Sequence, residues 1–294
     1  MVGQQIRGQT FSGCFVANVT LMDERGNVDY CAIGNHIEWM IAAGIDGICT
    51  AGTTGEFLFL STEEKRLVTQ AAVQTAAGRV PVIAGVWSLD VAEIGALSAS
   101  AEAAGAQAVF LPPPIYYPAS DAAIYHWYSA ARKATALPVL AYNIPQYAAN
   151  EISMQCLDRL FRDGVVQGVK DSSAMPDRIR ELVQNFGSNA SILAASDSFA
   201  SEALRLRAHG FISAIGNVCP ELMVAIWRGD TRLQTEAGRL RTALKRAGSI
   251  SALKHLLARQ GFANGFTRLP FAEISESDKA ALDRMDLSTG KRPR

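Results

Sequence analysis

Eight short apolar segments recur along the chain, each separated from the next by a longer stretch with helical periodicity. Each segment is continuously apolar rather than alternating, which is typical of parallel strands covered on both faces. The segments begin about 20 to 35 residues apart, which is close to the length of one strand–helix unit. The segments lie at residues 13–17, 47–50, 82–84, 108–111, 139–142, 165–170, 191–194 and 211–214.

Glycines stand at the junctions where four helical stretches give way to the next apolar segment. A glycine after a helix adopts the left-handed backbone conformation without a steric penalty from Cβ, so it marks the point where the helix ends. The recurrence of this junction supports a repeated strand–helix unit. The four glycines are Gly44, Gly105, Gly164 and Gly210.

Eight parallel strands can close into a barrel or stay open as a doubly wound sheet. An open sheet would be favoured by a Gly-x-Gly-x-x-Gly motif, and the sequence has none. We therefore predict an α/β fold, a (β/α)8 TIM barrel over residues 10–228. Residues 229–294 are predicted to form a C-terminal helical extension that belongs to the same structural unit, with a solvated tail over 288–294.

Composition limits the class of protein. Lys plus Arg and Asp plus Glu number 28 each, so the net charge is zero, which argues against a nucleic-acid partner. No apolar run reaches the roughly 18 residues that cross a bilayer, and the start lacks the pattern of a signal peptide. Five widely spaced cysteines and four histidines show no metal-ligand spacing. We expect a cytoplasmic enzyme that acts on a small molecule, with no cofactor, no metal and no membrane partner.

Candidate catalytic groups follow the strands, because the active site of such a barrel lies at the carboxyl ends of its strands. Lys170 ends the sixth segment, where apolar walls favour the neutral amine that attacks a carbonyl, although such a lysine can also simply extend to water. Tyr142 ends the fifth segment and could transfer a proton, although buried tyrosines are more often core residues. The Gly-Thr-Thr-Gly sequence at 52–55 could hold a carboxylate or serve only as a turn.

Taken together, these motifs resemble the dihydrodipicolinate synthase / N-acetylneuraminate lyase superfamily of class I pyruvate aldolases. The matching strings are Gly-Thr-Thr-Gly-Glu at 52–56, Tyr-Asn-Ile-Pro at 142–145, Gly-Val-Lys at 168–170 and Gly-Phe-Ile-Ser at 210–213. Late in the chain, Lys254, Arg268 and Pro270 also fit the family pattern. The resemblance covers about residues 10 to 270 and is far more specific for the superfamily than for the substrate.

The resemblance implies a role for each residue of the predicted site. Lys170 would form a Schiff base with pyruvate or another 2-oxo acid, and Tyr142 would act beside it as the general acid and base. Thr53 would relay protons. Gly52, Thr53 and Thr54 would hold the substrate carboxylate.

Two further implications concern the surroundings of this site. Tyr116 would reach into the site of a neighbouring subunit, in an assembly that the resemblance implies to be a tetramer. The backbone carbonyl of Ile212, on the eighth segment, would face the substrate. The chemistry needs no cofactor, because the iminium ion itself supplies the electron sink.

One departure from the family pattern concerns the second substrate. Tyr147 stands where the synthases carry an arginine that binds the carboxylate of aspartate semialdehyde, so the guanidinium fork that matches a carboxylate is missing. The pair Lys170-Asp171 resembles the 2-keto-3-deoxy acid aldolases instead. Ser196 and Asp197, after the seventh segment, could bind sugar hydroxyls.

The first hypothesis is therefore a Schiff-base-forming, pyruvate-dependent lyase that cleaves or forms a 4-hydroxy-2-oxo (2-keto-3-deoxy) acid. The alternatives are 4-hydroxy-tetrahydrodipicolinate synthase and a keto-deoxy acid dehydratase or hydratase-aldolase that uses the same imine. Phe57, Phe59 and Tyr147 would suit an aromatic aldehyde in the last of these. A barrel that only senses a 2-oxo acid is a different class, and such a protein has no need of an imine lysine.

Overall fold

Eight parallel strands form a closed barrel in chain order in the computed structural model, which describes residues 11–263 and 265–287. The first strand pairs with both the second and the eighth, which closes the barrel. The predicted (β/α)8 TIM barrel is confirmed. The strands are β1 Gly13–Ala17, β2 Gly47–Thr50, β3 Val82–Gly85, β4 Ala108–Leu111, β5 Val139–Asn143, β6 Gly168–Asp171, β7 Ser191–Ala194 and β8 Gly210–Ser213.

Helices alternate with these strands and then continue into the C-terminal extension. The barrel helices are α1 Tyr30–Ala42, α2 Thr62–Ala76, α3 Val91–Ala104, α4 Asp121–Lys133, α5 Pro145–Ala148, α6 Met154–Arg162, α7 Pro176–Phe186, α8 Ala200–Arg205 and α9 Pro220–Trp227. The extension contains α10 Gln234–Arg246, α11 Ile250–Arg259 and α12 Glu276–Asp283. In the two described ranges, no helix is both long and apolar enough to cross a membrane.

The sixth strand is shorter than the sequence predicts. It begins at Gly168 rather than at Val165, whose amide instead donates to the carbonyl of Leu160 at the end of α6, at 2.9 Å. Val165 and Val166 are nevertheless buried. An apolar run therefore marks buried chain, and periodicity alone does not separate a strand from the buried connection that leads into it.

Three of the four junction glycines have the predicted left-handed backbone; these are Gly44, Gly105 and Gly164. The prediction is wrong for Gly210, which opens β8, and the left-handed residue after α8 is Arg207, with a φ of 62°. Gly210 is needed for its size. A Cβ there would lie 2.6 Å from Cδ2 of Leu193 and 2.8 Å from the carbonyl oxygen of Gly13.

Successive side chains of each strand point alternately outward and inward, so the apolar core has two parts. One set of side chains packs between the strands and the surrounding helices, and Val169 belongs to it. The other set fills the inside of the barrel, and Tyr142 belongs to this second set together with Phe110. Successive side chains of a strand point to opposite faces, so Lys170, which follows Val169, points inward.

The C-terminal extension is attached to the barrel by two ionic contacts. Lys254 of α11 and Glu56 form an ion pair in which both side chains are buried. Arg268 pairs with Glu64 and donates to the carbonyl of Phe59 at 2.7 Å. The proposed boundary at residue 228 stays a prediction, and the predicted tail at 288–294 lies outside the described residues.

Candidate active site

A cleft with a volume of about 1310 Å³ opens at the carboxyl ends of the strands. Its inner end is lined by Thr53, Tyr142, Lys170 and Ile212, and its outer wall by residues of the C-terminal extension. Small-molecule sites usually enclose about 300 to 1,000 Å³, so this cleft has room for more than pyruvate.

Lys170 lies at the inner end of the cleft and is only 4% exposed. The register of β5 and β6 places it opposite Tyr142. Its side-chain nitrogen, Nζ, lies 4.0 Å from the centre of the Tyr142 ring and 5.0 Å from that of Phe110. Across the described ranges, no carboxylate or hydrogen-bond acceptor is within bonding distance of this nitrogen. The amine is therefore not engaged in an ion pair that would compete with its reaction.

Two hydroxyl groups meet beside this lysine. The Tyr142 hydroxyl and the Thr53 hydroxyl are 3.2 Å apart, a hydrogen bond in which either could donate. The backbone of Tyr142 is held in turn, because its amide donates to the Tyr128 hydroxyl at 3.4 Å and that hydroxyl donates to the Leu111 carbonyl at 3.0 Å. The pair can move a proton between the lysine and a bound substrate.

The loop after β2 presents backbone amides to the cleft. The Gly55 amide donates to the Gly52 carbonyl at 3.0 Å, and the Thr20 hydroxyl donates to the Gly55 carbonyl at 2.7 Å, which fixes the turn. The amides of Thr53 and Thr54 have no acceptor among the residues that the structure describes. Successive free amides in a turn form a concavity that suits an anion such as a carboxylate.

The absence of a side chain at Gly52 leaves open space beside Phe110 and Lys170. A Cβ at this position would lie 3.0 Å from Cζ of Phe110 and 4.0 Å from the nitrogen of Lys170. A larger residue would therefore fill the space in which a substrate meets the lysine.

The same loop ends on a buried charge. Glu56 has a left-handed backbone, with a φ of 60°, and its carboxylate pairs with Lys254 of α11. Burial raises the pKa of Glu56 and lowers the pKa of Lys254, while the attraction between the two opposes both shifts. Lys254 also donates to the carbonyl of Phe266 at 2.8 Å, so the extension fixes the end of this loop.

A polar network behind the strands explains two other motif residues. The Asp171 carboxylate accepts from the Asn143 amide at 2.8 Å and from Nε of Arg178 at 2.7 Å. Arg178 further donates to the carbonyl of Ile152 at 2.6 Å. Asp171 and Asn143 thus hold the ends of β5 and β6 in place, and Asp171 faces this network rather than a substrate.

The sequence matches the family described as "Dihydrodipicolinate synthetase family" over residues 10–286. The chain belongs to this family. Its members are class I aldolase-type carbon–carbon lyases, so the predicted superfamily and enzyme class are confirmed.

Individual proteins show how close the likeness is. The 4-hydroxy-tetrahydrodipicolinate synthase of Bartonella quintana is 32% identical over 283 residues, which cover 92% of this chain and 95% of that protein. The crystal structure of dihydrodipicolinate synthase from Aquifex aeolicus has a TM-score of 0.86 and 32% identity, and covers 93% of this chain and 96% of that one. The crystal structure of N-acetylneuraminate lyase from Mycoplasma synoviae has a TM-score of 0.84 and 26% identity, and covers 93% of this chain and 96% of that one.

Other predicted residues of this family member also line the cleft. Thr54 and Ile212 lie at its inner part, and Ile212 is 4% exposed. Tyr147, on α5, is 67% exposed at the rim. Ser196 is half-buried and also faces the cleft, so its hydroxyl can reach a substrate.

Asp197 bonds to the residues at the end of β8 and directly after it. Its buried carboxylate accepts from the Ser213 hydroxyl at 2.6 Å and from the amides of Ala214 and Ile215 at 3.2 and 3.3 Å. Burial raises the pKa of Asp197, and the nearby Arg241 guanidinium opposes that shift. The oxygens of this carboxylate hold the residues after β8, and the predicted binding of sugar hydroxyls by Asp197 stays a prediction.

Tyr116 is not brought to the cleft of its own chain. It is 80% exposed, has a left-handed φ of 77°, and its ring packs edge-on against that of Tyr117. Its predicted contribution to the site of a neighbouring subunit stays a prediction.

The outer wall of the cleft contains residues that were not predicted from the sequence. Arg241, Lys245 and Arg246 of α10 line it, and Thr242 lies between them. The only signal in the sequence was the spacing of Arg241 and Lys245, which places both on one face of a helix. In the two described ranges, no three His, Cys, Asp or Glu side chains form a group that could hold a metal ion.

Proposed function

We propose that this protein is a Schiff-base-forming, pyruvate-dependent aldolase that cleaves or forms a 4-hydroxy-2-oxo acid of the 2-keto-3-deoxy class. The observation that carries the proposal is the inner end of the cleft. There, a buried lysine without an ionic partner lies against Tyr142, whose hydroxyl bonds to Thr53. Free amides for a carboxylate lie in the same loop as Thr53.

The reaction begins with attack of the neutral Lys170 amine on C2 of pyruvate. The amides of Thr53 and Thr54 hold the pyruvate carboxylate and so fix its carbonyl against the lysine. Tyr142 donates a proton to the carbinolamine oxygen, which leaves as water and produces the iminium ion. A positioned acid or base of this kind accelerates a step by about 10² to 10⁴.

Carbon–carbon bond formation follows from the electronic effect of the iminium ion. The positive nitrogen makes the protons on C3 acidic, and loss of one of them to the Tyr142–Thr53 pair gives the enamine. C3 of the enamine attacks the aldehyde carbon, and the aldehyde oxygen takes the proton back. Water then hydrolyses the new imine and frees the 4-hydroxy-2-oxo acid. Cleavage is the same sequence in reverse.

A second candidate is 4-hydroxy-tetrahydrodipicolinate synthase, which is the name printed for the Bartonella quintana relative. The identity of residue 147 argues against it. Aspartate semialdehyde brings a carboxylate into the cleft, and at Tyr147 it meets a phenol in place of a guanidinium. Desolvating that carboxylate without a cation at this position costs a few kcal/mol.

Steady-state condensation of pyruvate with different aldehydes tests the proposed substrate class. Since each 1.4 kcal/mol is tenfold in rate, we expect kcat/KM for aspartate semialdehyde to be at least about 10²-fold below that for glyceraldehyde or an aromatic aldehyde. Tyr147→Arg should raise the value for aspartate semialdehyde by about tenfold, and the matched Tyr147→Phe should not. If aspartate semialdehyde is the best of the three, the protein is the synthase.

Pyruvate release separates the aldolase from the dehydratase alternative. An aldolase releases pyruvate from a 2-keto-3-deoxy acid, whereas a dehydratase consumes the acid and releases no pyruvate. A tetrameric assembly and a cytoplasmic location remain predictions. Light scattering of the purified protein measures the first directly.

A further inference from the structure

Three cations of α10 form the outer wall of the cleft, facing the space beyond Lys170. We call Arg241, Lys245 and Arg246 the α10 wall. Residues four apart lie on the same helix face, so Arg241 and Lys245 are neighbours. Arg246 has an ionic partner, Asp278, at 3.5 Å.

Arg241 and Lys245 have no such partner. Across residues 11–263 and 265–287, neither side chain makes a hydrogen bond or an ion pair. Arg241 is half-buried, and Lys245 is exposed on the side of the cleft. Two like charges at this spacing destabilise an isolated helix, so their placement together is not explained by the stability of α10.

In the two described ranges, the carboxylates that line the cleft form no ion pair with these cations, although buried Asp197 is near enough to Arg241 for an electrostatic interaction. The lining residues include two acids, Glu56 and Asp197. Glu56 is paired with Lys254. Asp197 is buried with its oxygens bonded to Ser213 and to backbone amides. The outer part of the cleft therefore has an excess of positive charge, although the chain as a whole has none.

We propose that the α10 wall binds an anionic group, a carboxylate or a phosphate, at the end of the substrate that is distant from the imine. This inference rests on the proposed function and adds the substrate class: the aldehyde partner carries a terminal anion. The Arg241 guanidinium offers a planar fork that matches either anion with two hydrogen bonds, and Lys245 adds a compact charge. The Ser196 hydroxyl, which also lines the cleft, adds a donor.

The same wall gives no net attraction for aspartate semialdehyde. That molecule carries an ammonium group beside its carboxylate, so repulsion of the ammonium offsets attraction of the carboxylate. A terminal phosphate or a carboxylate without a neighbouring amine meets only attraction. The expected order of aldehydes is therefore anionic, then neutral, then aspartate semialdehyde.

Matched pairs of aldehydes test the proposal through kcat/KM for condensation with pyruvate. The phosphate pair is glyceraldehyde 3-phosphate and glyceraldehyde, and the carboxylate pair is 5-oxopentanoate and pentanal. We expect the wild type at low salt to prefer the charged member of at least one pair by about tenfold or more, a difference that falls as salt screens the charges. The pair with the larger ratio identifies the anion.

Variants of α10 assign this preference to its residues. The double variant Arg241→Gln/Lys245→Gln should bring the ratio of charged to neutral aldehyde close to one. Arg239 is an exposed cation of the same helix that does not line the cleft, so Arg239→Gln is the matched control and should keep the wild-type ratio. The proposal is overturned if the wild type prefers neither charged aldehyde, or if the double variant keeps the preference.

If the proposed aldolase function is wrong, borohydride does not trap pyruvate on the wild type, and no aldehyde is consumed. The α10 wall is then tested by calorimetric titration with inorganic phosphate and with 3-phosphoglycerate. Binding that is lost in the double variant and retained in Arg239→Gln supports the wall as an anion site. Equal binding by all three proteins, or none by the wild type, overturns it.

Discussion

The two ends of the cleft are built in different ways. The inner end takes its reactive groups from adjacent strands, where Tyr142 and Lys170 are 3% and 4% exposed and lie opposite each other in the sheet. The outer end takes its groups from helices: Tyr147 from α5, and Arg241 and Lys245 from α10. Strand pairing fixes the positions of the reactive groups. Residues on the rim helices can be substituted without disturbing those positions.

The two ends of the cleft also differ in their proposed functions. The inner end contains what any aldolase of this kind needs, namely an amine, a proton carrier and a cradle for a carboxylate. The outer end contains what distinguishes one aldehyde from another. We therefore expect changes at the inner end to lower the rate for every substrate and changes at the outer end to alter the ratio between substrates.

The largest effect among the changes that test this comparison is expected at Tyr142. Tyr142→Phe keeps the ring against Lys170 and removes the hydroxyl that bonds Thr53, so kcat should fall by about 10² to 10⁴ for every aldehyde alike. Tyr125→Phe is the control, because that hydroxyl bonds Asp163 on the surface. Turnover of Tyr142→Phe close to that of the wild type would remove this hydroxyl from the mechanism.

The next effect is on stability rather than rate, at the contact between the C-terminal extension and the loop after β2. Lys254→Met leaves the Glu56 carboxylate buried without its cation, which should lower the free energy of unfolding by about 3 to 5 kcal/mol in urea denaturation. Combining it with Glu56→Gln removes the second charge and should recover most of the loss. The exposed pair of Lys279 and Glu276 provides the control, and Lys279→Met should leave the stability unchanged.

The stability of the Lys254 variants shows how the extension is attached to the loop after β2. If Lys254→Met is as stable as the wild type, the extension is not held to the loop after β2 by this pair. If the double variant is as unstable as Lys254→Met alone, the loss comes from packing of the lysine stem rather than from the unpaired carboxylate.

The fold and the inner end of the cleft could be predicted from the sequence for a common reason. A parallel barrel brings all the carboxyl ends of its strands to one face, so Lys170 and Tyr142 meet there once the strands are recognised. The loop motif at 52–55 follows a strand in the same way. Local sequence and general topology are sufficient for these residues.

The outer wall and the contacts of Asp197 could not be predicted in this way. The spacing of Arg241 and Lys245 shows that they share a helix face, but the packing of α10 on the barrel decides that this face lines the cleft. Asp197 follows a strand end as a ligand would. Its carboxylate bonds Ser213 in the next strand, a contact that only the three-dimensional arrangement shows.

The proposed mechanism depends most directly on imine formation by the amine of Lys170, and reductive trapping detects that imine. Borohydride added with pyruvate should fix one reduced pyruvate per chain, and peptide mapping by mass spectrometry should place it on Lys170. Lys170→Ala should gain no such mass and show no turnover, whereas Lys133→Ala, at an exposed lysine of α4, should be trapped like the wild type. An adduct on another lysine, or trapping that persists in Lys170→Ala, would contradict the proposed mechanism.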